Sequence, residues 1–348
     1  MPCLYPARVD IDVALVLAIG MALAFALTNG FLDAANAIAT LVATRIARPL
    51  PAVLVASVFN LLGPLFVGTA VAHAIGQLVT VPPGEVVAVI GAGLSGAVAW
   101  DLFTWRRGLP SSSSHALVGG LVGAALLDAG IGAVDWGPFH DGRLAGVYGV
   151  LIGLLVATVL GLGVAFLLER GALRVMSHAS VRFRRPVRAI QWVTSAGLAF
   201  SHGSNDAQKS IGVIAALLYA TGQTRTFGAP VGFVVLCAVA LTVGTALGGW
   251  AIVRTIGRRI FPLRSLDGLI SQTTSATVIL AASLVGAPVS TTQVVSSSVV
   301  GIGIGRGRWR HVGWEIVRDI ALAWVTTMPA AAFIGALLLP IWKLIPGG

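Results

Sequence analysis

His202-Gly203-Ser204-Asn205-Asp206-Ala207-Gln208-Lys209-Ser210-Ile211 lies inside a long apolar stretch. It aligns without gaps on Asn29-Gly30-Phe31-Leu32-Asp33-Ala34-Ala35-Asn36-Ala37-Ile38, with Gly, Asp, Ala and Ile coinciding. A second pair follows in the same order. Gly108-Leu109-Pro110-Ser111-Ser112-Ser113-Ser114-His115 aligns on Gly286-Ala287-Pro288-Val289-Ser290-Thr291-Thr292-Gln293, and Gly123 falls on Gly301. Two matches in one order at nearly one offset mark an internal duplication.

Around these motifs the chain is divided into about ten apolar segments, near 11–44, 50–74, 85–104, 110–127, 145–168, 190–219, 229–253, 266–284, 288–304 and 318–343, several of them as long as the ~17–25 residues that cross a bilayer. Composition agrees. Of 348 residues 56% are apolar and 10% charged, and the mean hydropathy is +0.91. A soluble domain carries ~25% charged residues, too many to be matched here. The expected fold class is an all-α polytopic membrane protein.

The net charge of +10 does not point to nucleic acid, because the arginines sit in short clusters between apolar runs. Arg45 and Arg48, Arg106 and Arg107, Arg170 to Arg188, Arg254 to Arg264, and Arg306 to Arg310 alternate with arginine-poor loops. Basic loops stay on the cytoplasmic side, so both termini are expected outside and the central linker inside. Arg8 is followed by Asp10 and Asp12, so the first apolar run reads as a retained span, not a cleaved leader. Cys3 and Cys237 share no motif and suggest neither a disulfide nor a metal site.

Each half then holds five crossings, an odd number that inverts the second half relative to the first. The expected organisation is a first repeat over 1–168, a basic cytoplasmic linker over 169–189 and a second repeat over 190–348. Inverted repeats are common in secondary transporters, whose sites lie at the midplane between discontinuous helices.

Asp33 and Asp206 each follow a helix-breaking dipeptide, Asn29-Gly30 or His202-Gly203. A broken helix at membrane depth frees backbone carbonyls where it lines a cavity. With carboxylates and amide oxygens, these make hard ligands for small cations. Asp33, Asn36, Asn205 and Asp206 are therefore candidate coupling-cation residues, since ionisable groups within a membrane are costly enough to mark function. A structural role, such as Asp206 simply pairing with Lys209, is the alternative.

The runs Ser111, Ser112, Ser113, Ser114 and Ser290, Thr291, Thr292 each follow a proline. Pro ends the incoming helix and a hydroxyl caps the outgoing one. A helix N-terminus offers free N–H groups and the positive end of its dipole, and extra hydroxyls add uncharged donors. Two such ends facing each other form a cage for a tetrahedral oxyanion, whereas a cap alone needs one hydroxyl. Lys209, one of two lysines, either contacts that anion or neutralises Asp206. His115 and His202 are candidate proton relays, with a hydrogen-bonded core role as the plainer reading. Arg106 and Arg107 either attract anions at an inner mouth or anchor topology. Gly301-Ile302-Gly303-Ile304-Gly305 follows no strand and reads as close helix packing.

These motifs resemble those of the inorganic phosphate transporter (PiT) family. Gly30 to Ala37 is similar to its Gly-Phe-x-Asp-x-Ala-Asn-Ala signature, His202 to Ala207 to His-Gly-x-Asn-Asp-Ala, and Gly108 to His115 to its Gly-Leu-Pro-hydroxyl-His element, which Gly286 to Gln293 matches less fully. The resemblance covers nearly the whole chain. It implies cation-coupled phosphate uptake, re-entrant hairpins, a homodimer and a multi-pass protein of the cell membrane, with H⁺ or Na⁺ co-transported and no other cofactor. It places Asp33, Asn36, Asn205, Asp206, Ser112, Ser113, Ser114, Ser290, Thr291 and Thr292 in the site. Leu32 stands where the family commonly has a polar residue, and Gln293 where it has a second His. Lys209 resembles the proton-coupled bacterial branch.

Two other readings are set against a phosphate symporter. One is a sulfate or metal–phosphate permease of the same fold. The other is a membrane enzyme acting on phosphorylated lipid, which would need clustered acids for Mg²⁺ or a nucleophile with a base. The chain has no Asp-Asp-x-x-Asp stretch, and the second hydroxyl run lacks a His, so an enzyme is not expected.

Overall fold

Asp12 opens the first helix, α1 (Val13–Ala43), by accepting a hydrogen bond from the Ala14 amide at 3.0 Å. The computed structural model describes residues 12–140, 143–176, 184–247, 252–253 and 255–347. Cys3, Asp141, Arg182 and Arg254 lie outside them.

The chain continues through α2 (Pro49–Phe66), α3 (Ala70–Gly76), α4 (Val86–Arg107), α5 (Ser113–Ala129) and α6 (Gly146–Met176). It then forms α7 (Arg184–Ala220), α8 (Val231–Leu247), a π-helical turn (Thr255–Arg259), α9 (Ser265–Leu284), α10 (Thr291–Gly305) and α11 (Trp314–Lys343). A two-residue ladder pairs Phe139–His140 with Arg143–Leu144 between α5 and α6. Each of the ten expected apolar segments is helical over most of its described residues, and the 50–74 segment is divided at Gly68, whose φ of 84° separates α2 from α3. The basic stretch expected as a linker is helical at its described ends, closing α6 and opening α7.

Among the described residues five helices are long and apolar enough to cross a bilayer: α1, α2, α4, α6 and α11. Large apolar side chains cover the exterior, among them Leu54 and Phe66 on α2, Leu155 and Val159 on α6, and Val325 and Phe333 on α11. Such a surface suits lipid and not water.

Two helical hairpins carry the hydroxyl runs, and their tips share one construction. Gly108 ends α4 with φ 65°, Pro110 follows, and Ser112 caps α5. Gly286 has φ 78°, Pro288 follows, and Ser290 caps α10. A residue with a Cβ is strained at these φ values, which explains the glycines. Both tips are buried, and Ser114 Oγ donates to the Val289 carbonyl at 2.8 Å, joining one tip to the other. Segments 85–127 and 266–304 therefore turn back inside the protein. Helix α11 packs along both arms of the first hairpin, and α6 along both arms of the second.

The interior has two apolar cores. The first gathers Ala18 and Phe25 of α1 with Ile211 and Ile214 of α7. The second gathers Ile38 and Leu41 of α1 with Leu198 of α7. The early part of α1 thus meets the late part of α7 and the reverse, so the two helices run in opposite senses. Their polar stretches, 29–36 and 202–209, lie between the cores.

One sequence expectation is corrected here. The dipeptides Asn29-Gly30 and His202-Gly203 do not break their helices, since α1 and α7 run through them. The glycines serve contact instead. A Cβ on Gly30 would collide with the Leu241 carbonyl of α8, and one on Gly203 with the Asn60 carbonyl of α2. The discontinuities fall at the two hairpin tips, at Gly68 and at the π-helical turn.

Candidate functional site

Asp33 and Asp206 are both buried and lie beside the paired tips. Thr292 Oγ1 donates to Asp33 Oδ1, and Ser113 Oγ donates to Asp33 Oδ2 at 3.1 Å. Each tip therefore supplies one hydroxyl to this carboxylate. Asn36, one turn along α1, donates Nδ2 to Asp33 Oδ1 at 2.7 Å and lies 3.0 Å from Thr292 Oγ1 and 3.3 Å from Thr291 Oγ1.

Asp206 has a different environment. Lys209 Nζ forms an ion pair with its Oδ1, His202 Nε2 lies 2.8 Å from Oδ2, and Thr291 Oγ1 donates to Oδ2 at 3.1 Å. The spacing of 202, 206 and 209 places all three side chains on one face of α7. In this arrangement Lys209 is ion-paired with Asp206. His202 is held from behind by Asn60 Oδ1 at 3.0 Å from Nδ1, and Asn60 donates in turn to Thr245 Oγ1 at 2.8 Å.

The electrostatic result is an asymmetric pair. Asp206 has a cation against it, whereas among the described residues Asp33 accepts hydrogen bonds from neutral donors only. Ligand atoms of Asp33, His202 and Asp206 lie within 4.8 Å of one another, so a small cation placed among them meets two carboxylates. A narrow enclosed crevice adjoins Asp33, lined by Ser111, Ser113 and Thr292 with Leu32, Pro110 and Ile252. Leu32, the family departure noted above, is apolar wall.

The structure thus joins Asp33, Asn36, His202, Asp206, Lys209, Ser113, Thr291 and Thr292, with Ser114 bridging the tips. Other candidates do structural work nearby. Ser112 caps α5 and sits 2.7 Å from His115 Nδ1, and Ser290 caps α10. His115 therefore faces its own cap and not the aspartates. Ser111 pairs with Thr104 Oγ1 at 2.8 Å. Asn205 secures the second tip, donating to Ser283 Oγ at 3.0 Å and accepting from the Val289 amide at 3.3 Å. Arg106 and Arg107 are exposed, and Arg107 stacks over the Phe103 ring.

Sequence reasoning missed Asn60, Thr245 and Gln208, whose Oε1 accepts from the Val71 amide at 2.9 Å and so caps α3. For Asn60 and Thr245 the only signal was a polar residue within an apolar helix, and Gln208 lay inside the polar stretch 202–209.

The profile of the phosphate transporter family matches residues 29–180 and 170–335. A "Probable low-affinity inorganic phosphate transporter" of Rhizobium meliloti (strain 1021) is 40% identical over 320 residues, 92% of this chain and 93% of that one. One of the same description from Bacillus subtilis (strain 168) is 36% identical, covering 96% of this chain and 99% of that one. Among solved structures, "The sodium-dependent phosphate transporter" superposes with a TM-score of 0.84 over 95% of this chain and 99% of that one, at 23% identity.

Proposed function

This chain belongs to the phosphate transporter family, and from that premise we propose that it is a cation-coupled symporter of inorganic phosphate working by alternating access. The carrying observation is that both hairpin tips and both aspartates meet at one buried place between the two cores. Phosphate is an anion, and so is Asp33. Bringing the two together in a low-dielectric interior is unfavourable unless a cation enters with the anion. Asp33, with only neutral donors about it, is where that charge is missing.

In this reading the coupling cation, H⁺ or Na⁺, binds at Asp33 with Asn36 and Asp206. Phosphate takes over the hydroxyl donors of Ser113, Thr291 and Thr292 and the amide ends of α5 and α10, with Ser111, Ser112, Ser114 and Ser290 shaping the tips. Lys209 keeps Asp206 paired. The opposite senses of α1 and α7 support two inverted repeats, 1–168 and 190–348, joined by the basic 169–189 stretch. Alternating access is then the rocking of one repeat against the other. The positive-inside pattern supports a cytoplasmic linker and outer termini in the cell membrane, and a homodimer is the proposed assembly.

The test is labelled-phosphate uptake by cells or vesicles carrying Asp33→Asn or Asp206→Asn at matched membrane abundance. Both are expected to abolish uptake; normal uptake by both defeats the assignment. Vesicles with a Na⁺ gradient, a pH gradient or neither identify the coupling ion. Excess sulfate separates a phosphate site from a general oxyanion site, since tetrahedral shape is common to both.

A further inference from the structure

Helix α4 holds an acid that the proposed site does not use. Asp101 is fully buried, and neither carboxylate oxygen has a hydrogen-bond partner among the described residues. The other buried acids are met: Asp33 by Ser113, Thr292 and Asn36, Asp206 by Lys209 and His202, and Glu169 and Asp267 by Arg306. The alignment of Gly108 on Gly286, carried back along the helix, pairs Asp101 with Ile279, which is equally buried. The same position in the other hairpin is thus apolar, and the hairpin fold does not need an acid there.

The surroundings limit what Asp101 can bind. From α1 the charged group near enough to act on it is Asp33, and from α7 it is Lys209. On α5 the titratable group at the tip is His115, tied to Ser112, and α11 has no charged residue between Asp319 and Lys343. Thr104, one turn away on α4, spends its hydroxyl on Ser111 and on the Trp100 and Asp101 carbonyls. A metal ion needs several oxygens directed at it, and among the described residues Asp101 joins no group of three or more His, Cys, Asp or Glu ligands. An ionised carboxylate with no partner is expensive in such a place, whereas the protonated acid is far cheaper.

We propose that Asp101 is a second proton site of the transport cycle, beside the cation held at Asp33, taking one proton from water on the loading side and returning it on the other. The balance is simple: carboxylate plus proton gives carboxylic acid on loading, and the same O–H bond breaks on release. Thr104 and Ser111 connect this helix to the crevice beside Asp33, so loading of phosphate and of the proton are adjacent events. The inference rests on the phosphate-transport reading.

The experiment uses the full chain, purified and reconstituted into liposomes. Two assays are run: exchange of labelled phosphate at equal pH, and uptake with an inward proton gradient. Asp101→Asn copies the protonated acid in shape and neutrality. It is expected to retain exchange and to lose the acceleration by the gradient, and Asp101→Glu is expected to keep both. Acceleration retained in Asp101→Asn overturns the proposal. So does loss of exchange in a folded, monodisperse Asp101→Asn protein. Absence of exchange in the unaltered chain would instead defeat the transport reading itself. If neither variant folds, the infrared difference spectrum of the unaltered protein on adding inorganic phosphate decides. A protonated-carboxyl band that shifts in heavy water supports the proposal, and its absence overturns it.

Discussion

Thr291 and Thr292, adjacent at the start of α10, divide the two aspartates between them: Thr291 donates to Asp206 and Thr292 to Asp33. Asn36 touches both hydroxyls. One turn of one helix therefore reads both carboxylates at once, so a change of charge at either is felt at the tip. Replacing Thr292 by Val removes the hydroxyl and keeps the shape. Hydrogen bonds to charged groups contribute ~1.5–3 kcal/mol, so the initial rate of phosphate uptake is expected to fall by ~10–100-fold. Thr291→Val has the same sign. The double variant is expected to lose less than the sum of the two, because Asn36 couples the hydroxyls. Strict additivity in the uptake rates would contradict a shared tip.

Lys209 is fully buried against Asp206. Lys209→Met leaves that carboxylate without its cation, and breaking a buried pair typically costs ~3–5 kcal/mol. The thermal midpoint in detergent is expected to drop sharply. Combining Lys209→Met with Asp206→Asn removes the orphaned charge and should recover most of the midpoint, but not transport. A double variant as unstable as Lys209→Met alone would show that the lysine stabilises by packing and not by charge.

The four serines before His115 are expected to separate by role. Ser112 caps α5, and its loss costs ~1 kcal/mol of stability; Ser113 donates to Asp33. Ser112→Ala should lower the midpoint with uptake per folded molecule nearly unchanged, whereas Ser113→Ala should cut uptake at a nearly unchanged midpoint. Uptake and thermal unfolding measured on the same preparations check the split.

How far the sequence could be read follows from the same contrasts. Asp33 and Asp206 stood out because an acid in an apolar run needs a reason, and the hydroxyl runs because a cap uses one hydroxyl, not four. The glycines at 30 and 203 look like breaks in the sequence, yet their helices run on through them. A glycine within a helical pattern looks the same whether it bends the helix or admits a neighbour, and only the facing carbonyls of Leu241 and Asn60 decide. Asn60 and Thr245 carry little local pattern, and Asp101 is an acid in an apolar run with no motif around it. Their meaning comes from what packing brings to them, or, for Asp101, fails to bring.

Gly30 gives that correction a measurable form. A methyl there runs into the Leu241 carbonyl and Gly244 of α8, while one on Gly163 of α6 meets nothing within 4 Å. Overpacking costs ~1–3 kcal/mol, whereas a methyl in an open helical position is favourable by up to ~1 kcal/mol. Gly30→Ala is expected to lower the thermal midpoint and Gly163→Ala to hold or raise it. Equal midpoints would mean that α1 and α8 can move apart without loss, and the close contact would not be holding the site in place.

Two ionic clamps fasten the bases of the hairpins, and burial makes them unequal. Arg306, at the end of α10, reaches Glu169 of α6 at 2.9 Å and Asp267 of α9 at 2.5 Å, with both acids fully buried. Lys343, at the end of α11, reaches Glu85 at 3.0 Å and Asp128 at 2.5 Å, but Lys343 and Glu85 are each 40% exposed. Removing Arg306 leaves Glu169 and Asp267 as buried like charges without their shared counterion, a loss of ~3–5 kcal/mol. Removing Lys343 costs less, since water and salt replace it at Glu85, and only Asp128, 3% exposed, loses a buried partner. Arg306→Met is therefore expected to unfold or sharply destabilise the protein, with partial rescue by adding Glu169→Gln. Lys343→Met is expected to shift the midpoint slightly, and less so at high salt. Comparable losses in thermal unfolding would mean that water reaches both clamps alike, and the second hairpin would then be no more firmly closed at its base than the first.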